Sequence, residues 1–138
     1  MKKLALLLLL PLFVFTSCSK DDNEAKDPNA PQLTINSPEN GSSIKSGQNV
    51  LVDASIQLAE GRTLEKVDVV ATNAFLGEVY NETYTKDSFP TTVEGSYSIQ
   101  ENIPVPDTGG FGGKVKVTIT VTDSEGATDQ EVLELTIN

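Results

Sequence analysis

The sequence predicts an all-β protein, a two-sheet antiparallel β-sandwich of about seven strands. Three observations predict it. Apolar and polar residues alternate through most of residues 32–138, β-branched residues dominate the alternating runs, and residues typical of turns separate them. No long stretch repeats its apolar residues with the 3.6-residue period of an amphipathic helix. Alternation gives each strand one apolar face, and two sheets bury such faces by packing against each other.

The first 17 residues have the composition of an export signal and are left out of the fold. Lys2 and Lys3 give a positive start, residues 4–15 are apolar, and two small residues precede Cys18. The apolar run is shorter than the roughly 20 residues that a transmembrane helix needs. We therefore predict a signal peptide over residues 1–17.

Cys18 is the only cysteine of the chain, and it directly follows the small residues of this leader. The arrangement resembles the lipobox of bacterial lipoproteins, although Phe15 stands where leucine is usual. The resemblance implies a diacylglycerol on the thiol, cleavage just before Cys18 and acylation of the new amino terminus. Such chains would hold the protein at a membrane, since each buried CH₂ contributes about 0.8 kcal/mol. The alternative is an ordinary secreted protein in which the position of Cys18 is a coincidence.

Residues 18–31 predict a flexible acidic tether. After Cys18 they hold no apolar residue larger than alanine, many charges and two prolines, so they cannot bury enough surface to offset their chain entropy. Fully stretched, they reach at most roughly 50 Å. The opening CSKDD resembles the start of mature lipoproteins of the Bacteroidota, in which lysine and acidic residues near the acylated cysteine are associated with the outer face of the outer membrane. We expect an outer-membrane anchor that faces the cell surface; a periplasm-facing anchor is the alternative.

Residues 32–138 form the predicted domain. In chain order we expect strands around residues 32–36, 50–58, 67–71, 77–85, 96–100, 103–105, 115–122 and 132–137. Pro104 and Pro106 place the sixth of these at a sheet edge, because proline has no N–H to donate. The Gly-rich residues 107–113 predict a flexible loop, and residues 123–126 a tight hairpin. The expected core is Leu33, Ile35, Ile44, Val50, Val52, Ala54, Ile56, Val67, Val69, Tyr97, Ile99, Val115, Val117, Ile119, Val121, Leu133, Leu135 and Ile137.

The two ends of this domain carry a family resemblance. Residues 31–41, PQLTINSPENG, and 47–50, GQNV, resemble the opening of bacterial Ig-like domains. Residues 115–128 are similar to the last hairpin of PKD-, cadherin- and fibronectin III-like sandwiches. With the leader, the whole chain resembles the small Ig-like lipoproteins of unknown function of the Bacteroidota. The resemblance implies the fold but no activity, because such sandwiches host many unrelated roles. Residues 73–92 depart from the short-loop pattern and predict an insertion or a longer strand pair.

Composition argues against several functions. The chain has no histidine, so it has neither a Ser-His-Asp triad nor a zinc site of the usual composition. Without the leader it has 8 basic and 20 acidic side chains, a net charge of −12, which disfavours nucleic acid as a partner. Nothing in the sequence places two carboxylates in a shared apolar pocket. We therefore expect no enzyme; a hydrolase that uses paired carboxylates is the alternative.

Calcium is the one cofactor that the sequence suggests. Asp123 and Glu125 in the last turn, with Asp107 in the Gly-rich loop, are the candidate ligands, since loops at the end of a sandwich can gather hard oxygen ligands. There is no EF-hand spacing. The alternative for Asp123 is a hydrogen bond within its own turn.

Aromatic residues outside the alternating runs are the candidate ligand-binding residues. Phe75, Tyr80, Tyr84 and Phe89 cluster in the irregular middle segment, and Phe111 lies between glycines. Binding residues concentrate on irregular elements held by a rigid scaffold. The alternative is that these side chains cover an open end of the core.

From these features we expect a lipid-anchored, non-catalytic Ig-like module of the cell envelope that binds or adheres to a protein or glycan partner. One alternative is a structural accessory subunit of an envelope complex that associates through its sheet edges. Another is a surface protein that binds glycans or depends on calcium.

Overall fold

The computed structural model describes residues 27–89 and 95–138. The predicted signal peptide, Cys18 and most of the tether lie outside the described residues. The strands are β1 (Gln32–Ser37), β2 (Ser43–Ile44), β3 (Asn49–Gln57), β4 (Leu64–Asn73), β5 (Gly77–Thr85), β6 (Ser96–Pro104), β7 (Gly113–Asp123) and β8 (Thr128–Ile137), with a 3₁₀ turn at Lys86–Ser88. No helix of the described segments is long and apolar enough to cross a membrane.

The strands form two sheets that pack face to face. One has the order β1-β3-β6 and the other β2-β8-β7-β4-β5, and neighbouring strands are antiparallel except for the parallel pair β2 and β8. The predicted all-β, two-sheet Ig-like sandwich is confirmed. Residues 103–105 are not a separate strand, because β6 continues to Pro104. As expected, β6 lies at an edge.

The core comes from the inward faces of both sheets. The predicted core residues are buried except Ile35 and Ile44, which are partly buried and pack against the core. Leu64 and Ile103 are also fully buried. Leu64 escaped the period-two pattern because the register of β4 against β7 shifts between Leu64 and Lys66, so that residues three apart face the same side. Every buried side-chain nitrogen and oxygen in the described residues has a hydrogen-bond partner.

The sandwich has two ends, which we call the N-terminal pole and the opposite pole. The N-terminal pole holds the start of β1 and the loops 58–63 and 124–127, which are joined by the Ser124 N–H and the Thr63 carbonyl at 2.9 Å. The opposite pole holds the β4–β5 turn, loop 105–112 and the last residues of β8. The 11 residues of β7 run between the poles. At about 3.3 Å per residue, the poles are roughly 35 Å apart.

Candidate functional site

The pole opposite the N-terminus exposes three large apolar side chains. Phe75 is 80 % exposed, Leu76 59 % and Phe111 79 %; in the described residues the other exposed large apolar side chains are Leu51 and Val132, on the outer faces of the sheets. Phe75 and Leu76 lie in the β4–β5 turn, and Phe111 lies just before β7. We call these three side chains the aromatic tip. They line a cleft of about 510 Å³, together with Asn73, Asp107, Thr108 and Gly112.

Asn73 holds the first half of the aromatic tip in place. Its side chain is almost fully buried, and Nδ2 donates a hydrogen bond to the Lys114 carbonyl of β7 at 3.0 Å. Its Oδ1 accepts the backbone N–H groups of Phe75 at 2.9 Å and Leu76 at 3.1 Å. Gly77 completes the turn with a φ of 76°, a conformation that favours glycine. One amide side chain therefore ties the turn both to itself and to the neighbouring strand.

The loop that carries Phe111 contains a hydrogen-bonded turn. The Phe111 N–H donates to the Thr108 carbonyl at 3.2 Å, and the Thr108 hydroxyl donates to the Phe111 carbonyl. Gly109 and Gly110 adopt φ values of 62° and 85° between them. Ser46, in the loop after β2, accepts the Thr108 N–H at 2.8 Å. These bonds anchor the second half of the aromatic tip to a neighbouring loop.

In the part of the chain that the structure describes, Asp107 is the one ionisable residue that lines the cleft. Its Oδ1 accepts the Gly109 N–H at 2.9 Å and the Ser46 hydroxyl at 3.1 Å. Both hydrogen bonds lower the pKa of Asp107, and the one from Gly109 has the larger effect. The carboxylate is therefore ionised at neutral pH. A fixed negative charge thus lies beside two exposed phenyl rings.

Tyr80, Tyr84 and Phe89 lie away from the aromatic tip, in a second cluster where β5 approaches β6. The Tyr80 hydroxyl donates to Glu101 Oε1 at 2.5 Å, and the Tyr84 hydroxyl donates to Glu101 Oε2 at 2.5 Å. The rings of Tyr84 and Phe89 meet edge to face with centroids 5.7 Å apart, and Phe89 also meets the Tyr97 ring. We call Tyr80, Tyr84 and Glu101 the Tyr–Glu clasp.

The Tyr–Glu clasp joins the two sheets. Tyr80 and Tyr84 belong to β5 of the five-stranded sheet, and Glu101 belongs to β6 of the three-stranded sheet. Burial and the hydrogen bonds to Glu101 raise the pKa of both tyrosines. All three aromatic side chains of this cluster pack against the core. The five predicted ligand-binding residues therefore form two separate groups: Phe75 and Phe111 at the aromatic tip, and Tyr80, Tyr84 and Phe89 between the sheets.

The three predicted calcium ligands do not meet either. Asp107 lies at the aromatic tip, and Asp123 and Glu125 lie at the N-terminal pole. Asp123 Oδ1 accepts the Glu125 and Ala127 N–H groups of its own turn. Its Oδ2 forms an ion pair with Arg62 of the neighbouring loop at 2.6 Å. Burial opposes the ionisation of Asp123, but these bonds outweigh it and lower the pKa. Within the described segments, no three acidic, cysteine or histidine side chains are grouped to hold a metal ion.

Sequence reasoning missed Asn73, Leu76 and Glu101. The role of Asn73 could have been recognised in the sequence, since an asparagine four residues before a glycine is typical of a short turn in which the asparagine side chain accepts backbone N–H groups. The role of Glu101 could not have been recognised in the sequence, because its hydrogen-bond partners lie 17 and 21 residues away in the other sheet.

Several solved structures resemble this chain, with low sequence identity and TM-scores below 0.5. Superoxide reductase (neelaredoxin) from Ignicoccus hospitalis has 9 % identity and a TM-score of 0.49, with 80 % of this chain and 83 % of that one covered. Fibronectin(III)-like modules of Clostridium thermocellum CbhA have 15 % identity and a TM-score of 0.45, with coverage of 77 % and 94 %. Murine CRIg has 12 % identity and a TM-score of 0.40, with coverage of 78 % and 96 %. These similarities are too weak to support any statement about activity.

Comparison at the sequence level is more specific. A search of curated proteins found no match. The family model described as Bacterial Ig domain matches residues 31–100, which are 70 of the 138 residues. Because this match spans half of the chain and the described fold is a two-sheet sandwich, the chain belongs to the bacterial Ig domain family.

Proposed function

We propose that this protein is a non-catalytic binding module of the cell envelope, held at the outer membrane by acylated Cys18, and that it contacts its partner through the aromatic tip. The exposure of Phe75 and Phe111, 80 % and 79 %, is the observation that carries the proposal. Membership of the bacterial Ig domain family supports it, because such domains are typically binding or structural modules without catalysis.

The free energy of solvation favours covering the aromatic tip. A buried phenylalanine removes roughly 150–250 Å² from water, and each Å² of apolar surface contributes about 25 cal/mol. Two Phe side chains and Leu76 therefore leave several kcal/mol of hydrophobic free energy available to a partner. The other aromatic side chains of residues 27–89 and 95–138 are at least partly buried. Exposed apolar groups of this size on adjacent loops are typical of an interaction site.

The position of the aromatic tip supports a partner outside the anchoring membrane. Cys18 precedes β1, and β1 begins at the N-terminal pole, roughly 35 Å from the aromatic tip by the length of β7. The intervening residues 18–31 add at most roughly 50 Å. In the proposed anchored protein, the aromatic tip lies at the pole opposite the tether, so it can reach partners beyond the membrane that holds Cys18.

β5 and β6, two of the four edge strands, give less support to the structural-accessory alternative. β6 ends in Pro104, which has no N–H to offer an added strand. β5 carries Glu78 and Glu82, and acidic side chains on an edge strand disfavour further pairing. The edge-pairing alternative is therefore the second candidate.

Two experiments test the two halves of the proposal. Mass spectrometry of the native protein should find an N-terminal peptide that begins at acylated Cys18, and Cys18→Ser should release the protein from the membrane fraction. An unmodified thiol with an intact leader would contradict the anchor.

Partner binding is tested in native cells by formaldehyde cross-linking followed by immunoblotting. The wild-type protein and the control Leu51→Ser, whose exposed leucine lies on β3, should give the same adduct, and the double variant Phe75→Ser with Phe111→Ser should lose it. An undiminished adduct in the double variant would contradict binding through the aromatic tip.

A further inference from the structure

Resting on the proposed function, we propose that the cleft between Phe75 and Phe111 receives a cationic side chain, arginine or lysine, from a short exposed segment of a partner protein. The ammonium or guanidinium group would lie over the phenyl rings and beside the Asp107 carboxylate. No covalent step is involved.

The rings present the surface that a cation recognises. A cation within about 6 Å of an aromatic ring is attracted by the negative face of the ring, and Arg or Lys beside Phe is a recurrent pair in proteins. One edge of the Phe75 ring lies near Gly113, because a Cβ added to that glycine would be 4.0 Å from Phe75 Cε2. Most of the ring remains exposed to solvent.

The charge of the cleft fits the same ligand. Asp107 is the only ionisable residue among the lining residues, and it is held in one orientation through Oδ1. Within the described residues, Asp107 Oδ2 accepts no hydrogen bond. An oriented carboxylate next to apolar surface favours a cation that carries an apolar stem, which both Lys and Arg have.

The charge of the whole chain adds a longer-range attraction. The chain after the leader has a net charge of −12, which steers cationic partners and repels anionic ones. The lysines of this pole lie outside the lining of the cleft, and Lys114 is paired with Glu134 at 3.2 Å. The cleft itself therefore keeps its negative sign.

The test uses the full acylated chain in detergent micelles and a fluorescent nine-residue peptide of Gly and Ser with Leu-Arg-Leu at its centre. The control peptide carries citrulline, a neutral isostere, in place of arginine. Fluorescence polarisation should show the arginine peptide binding at least about fivefold more tightly than the citrulline peptide, with a preference that falls as salt rises.

Variants assign that preference to named groups. Asp107→Asn keeps an oxygen acceptor for the Gly109 N–H and removes only the charge, so it should abolish the preference for arginine. Phe75→Ala and Phe111→Ala should each weaken binding of the arginine peptide about fivefold, whereas Leu51→Ala should not change it. Thermal melts of each variant verify that the fold is intact.

The outcomes separate this inference from the proposed function. Equal binding of both peptides, or no binding of either, would overturn the cationic ligand. Phe-dependent binding of a neutral oligosaccharide in place of the arginine peptide would also overturn it. None of these results would affect the in-cell adduct, which tests the aromatic tip without reference to the chemistry of the partner.

Discussion

The Asn73 side chain should control both the stability of the domain and the order of the aromatic tip. It makes three hydrogen bonds while almost fully buried: Nδ2 to the Lys114 carbonyl, and Oδ1 from the N–H groups of Phe75 and Leu76. A hydrogen bond of this kind contributes about 1 kcal/mol net. Asn73→Ala should therefore lower the free energy of unfolding by about 3 kcal/mol, a large part of the 5–15 kcal/mol typical of a domain.

Two further variants locate that loss. Asn73→Ser keeps a short acceptor for the turn N–H groups but loses the donor to β7, so about half of the loss is expected. Asn81→Ala is the matched control, because the Asn81 side chain is exposed on β5 and, among the described residues, bonds only to Glu78 at 3.1 Å. Its effect should stay within about 0.5 kcal/mol.

Urea unfolding followed by circular dichroism measures the free energies, and hydrogen exchange of the Phe75 amide measures the order of the turn. In Asn73→Ala this amide should exchange faster, because its acceptor is gone. If Asn73→Ala unfolded with the same free energy as Asn81→Ala, the assignment of Asn73 as the residue that holds the turn would be refuted.

Two predictions concern the other polar clusters. Glu101→Gln should cost about 1–3 kcal/mol of unfolding free energy and should lower the pKa of Tyr80 and Tyr84, followed by absorbance at 295 nm. Because the folded-state pKa of these tyrosines is raised, their contribution is complete below the unfolded pKa of about 10 and is lost as pH rises further. An unchanged titration in Glu101→Gln would argue against the Tyr–Glu clasp. Asp123→Asn should cost about 2 kcal/mol near pH 7, because it removes the charge that binds Arg62. Since the folded-state pKa of Asp123 is lowered, this difference should be complete above the unfolded pKa of about 3.9 and should shrink as pH falls below it; a difference that persisted at pH 2 would contradict the assignment.

The fold was predictable because apolar and polar residues alternate along most strands. In β7, valines and an isoleucine alternate with Lys and Thr over the whole strand, and the structure buries that apolar face completely. Strands that are too short to show this alternation could not be predicted. β2 has two residues, and its pairing with β8 depends on the position of a distant strand. The burial of Leu64 was missed for a local reason, since an irregularity in β4 changes which residues face inward.

The candidate site was only half predictable. Phe75 and Phe111 stand out in the sequence because they lie in turns, outside any alternating strand. Their meeting in one cleft follows from the antiparallel order β5-β4-β7, which brings the start of β7 beside the end of β4. Tyr80 and Tyr84 looked equivalent to Phe75 in the sequence, and only the position of Glu101 in the other sheet separates them.

The central claim is that the aromatic tip is the surface that meets the partner. The most direct measurement places the photo-cross-linking amino acid benzoylphenylalanine at position 75 in intact cells, and at position 51 as a control with an exposed site on β3. We expect a discrete cross-linked product from position 75 and none from position 51. Products of the same kind and yield from both positions, or from position 51 alone, would contradict it.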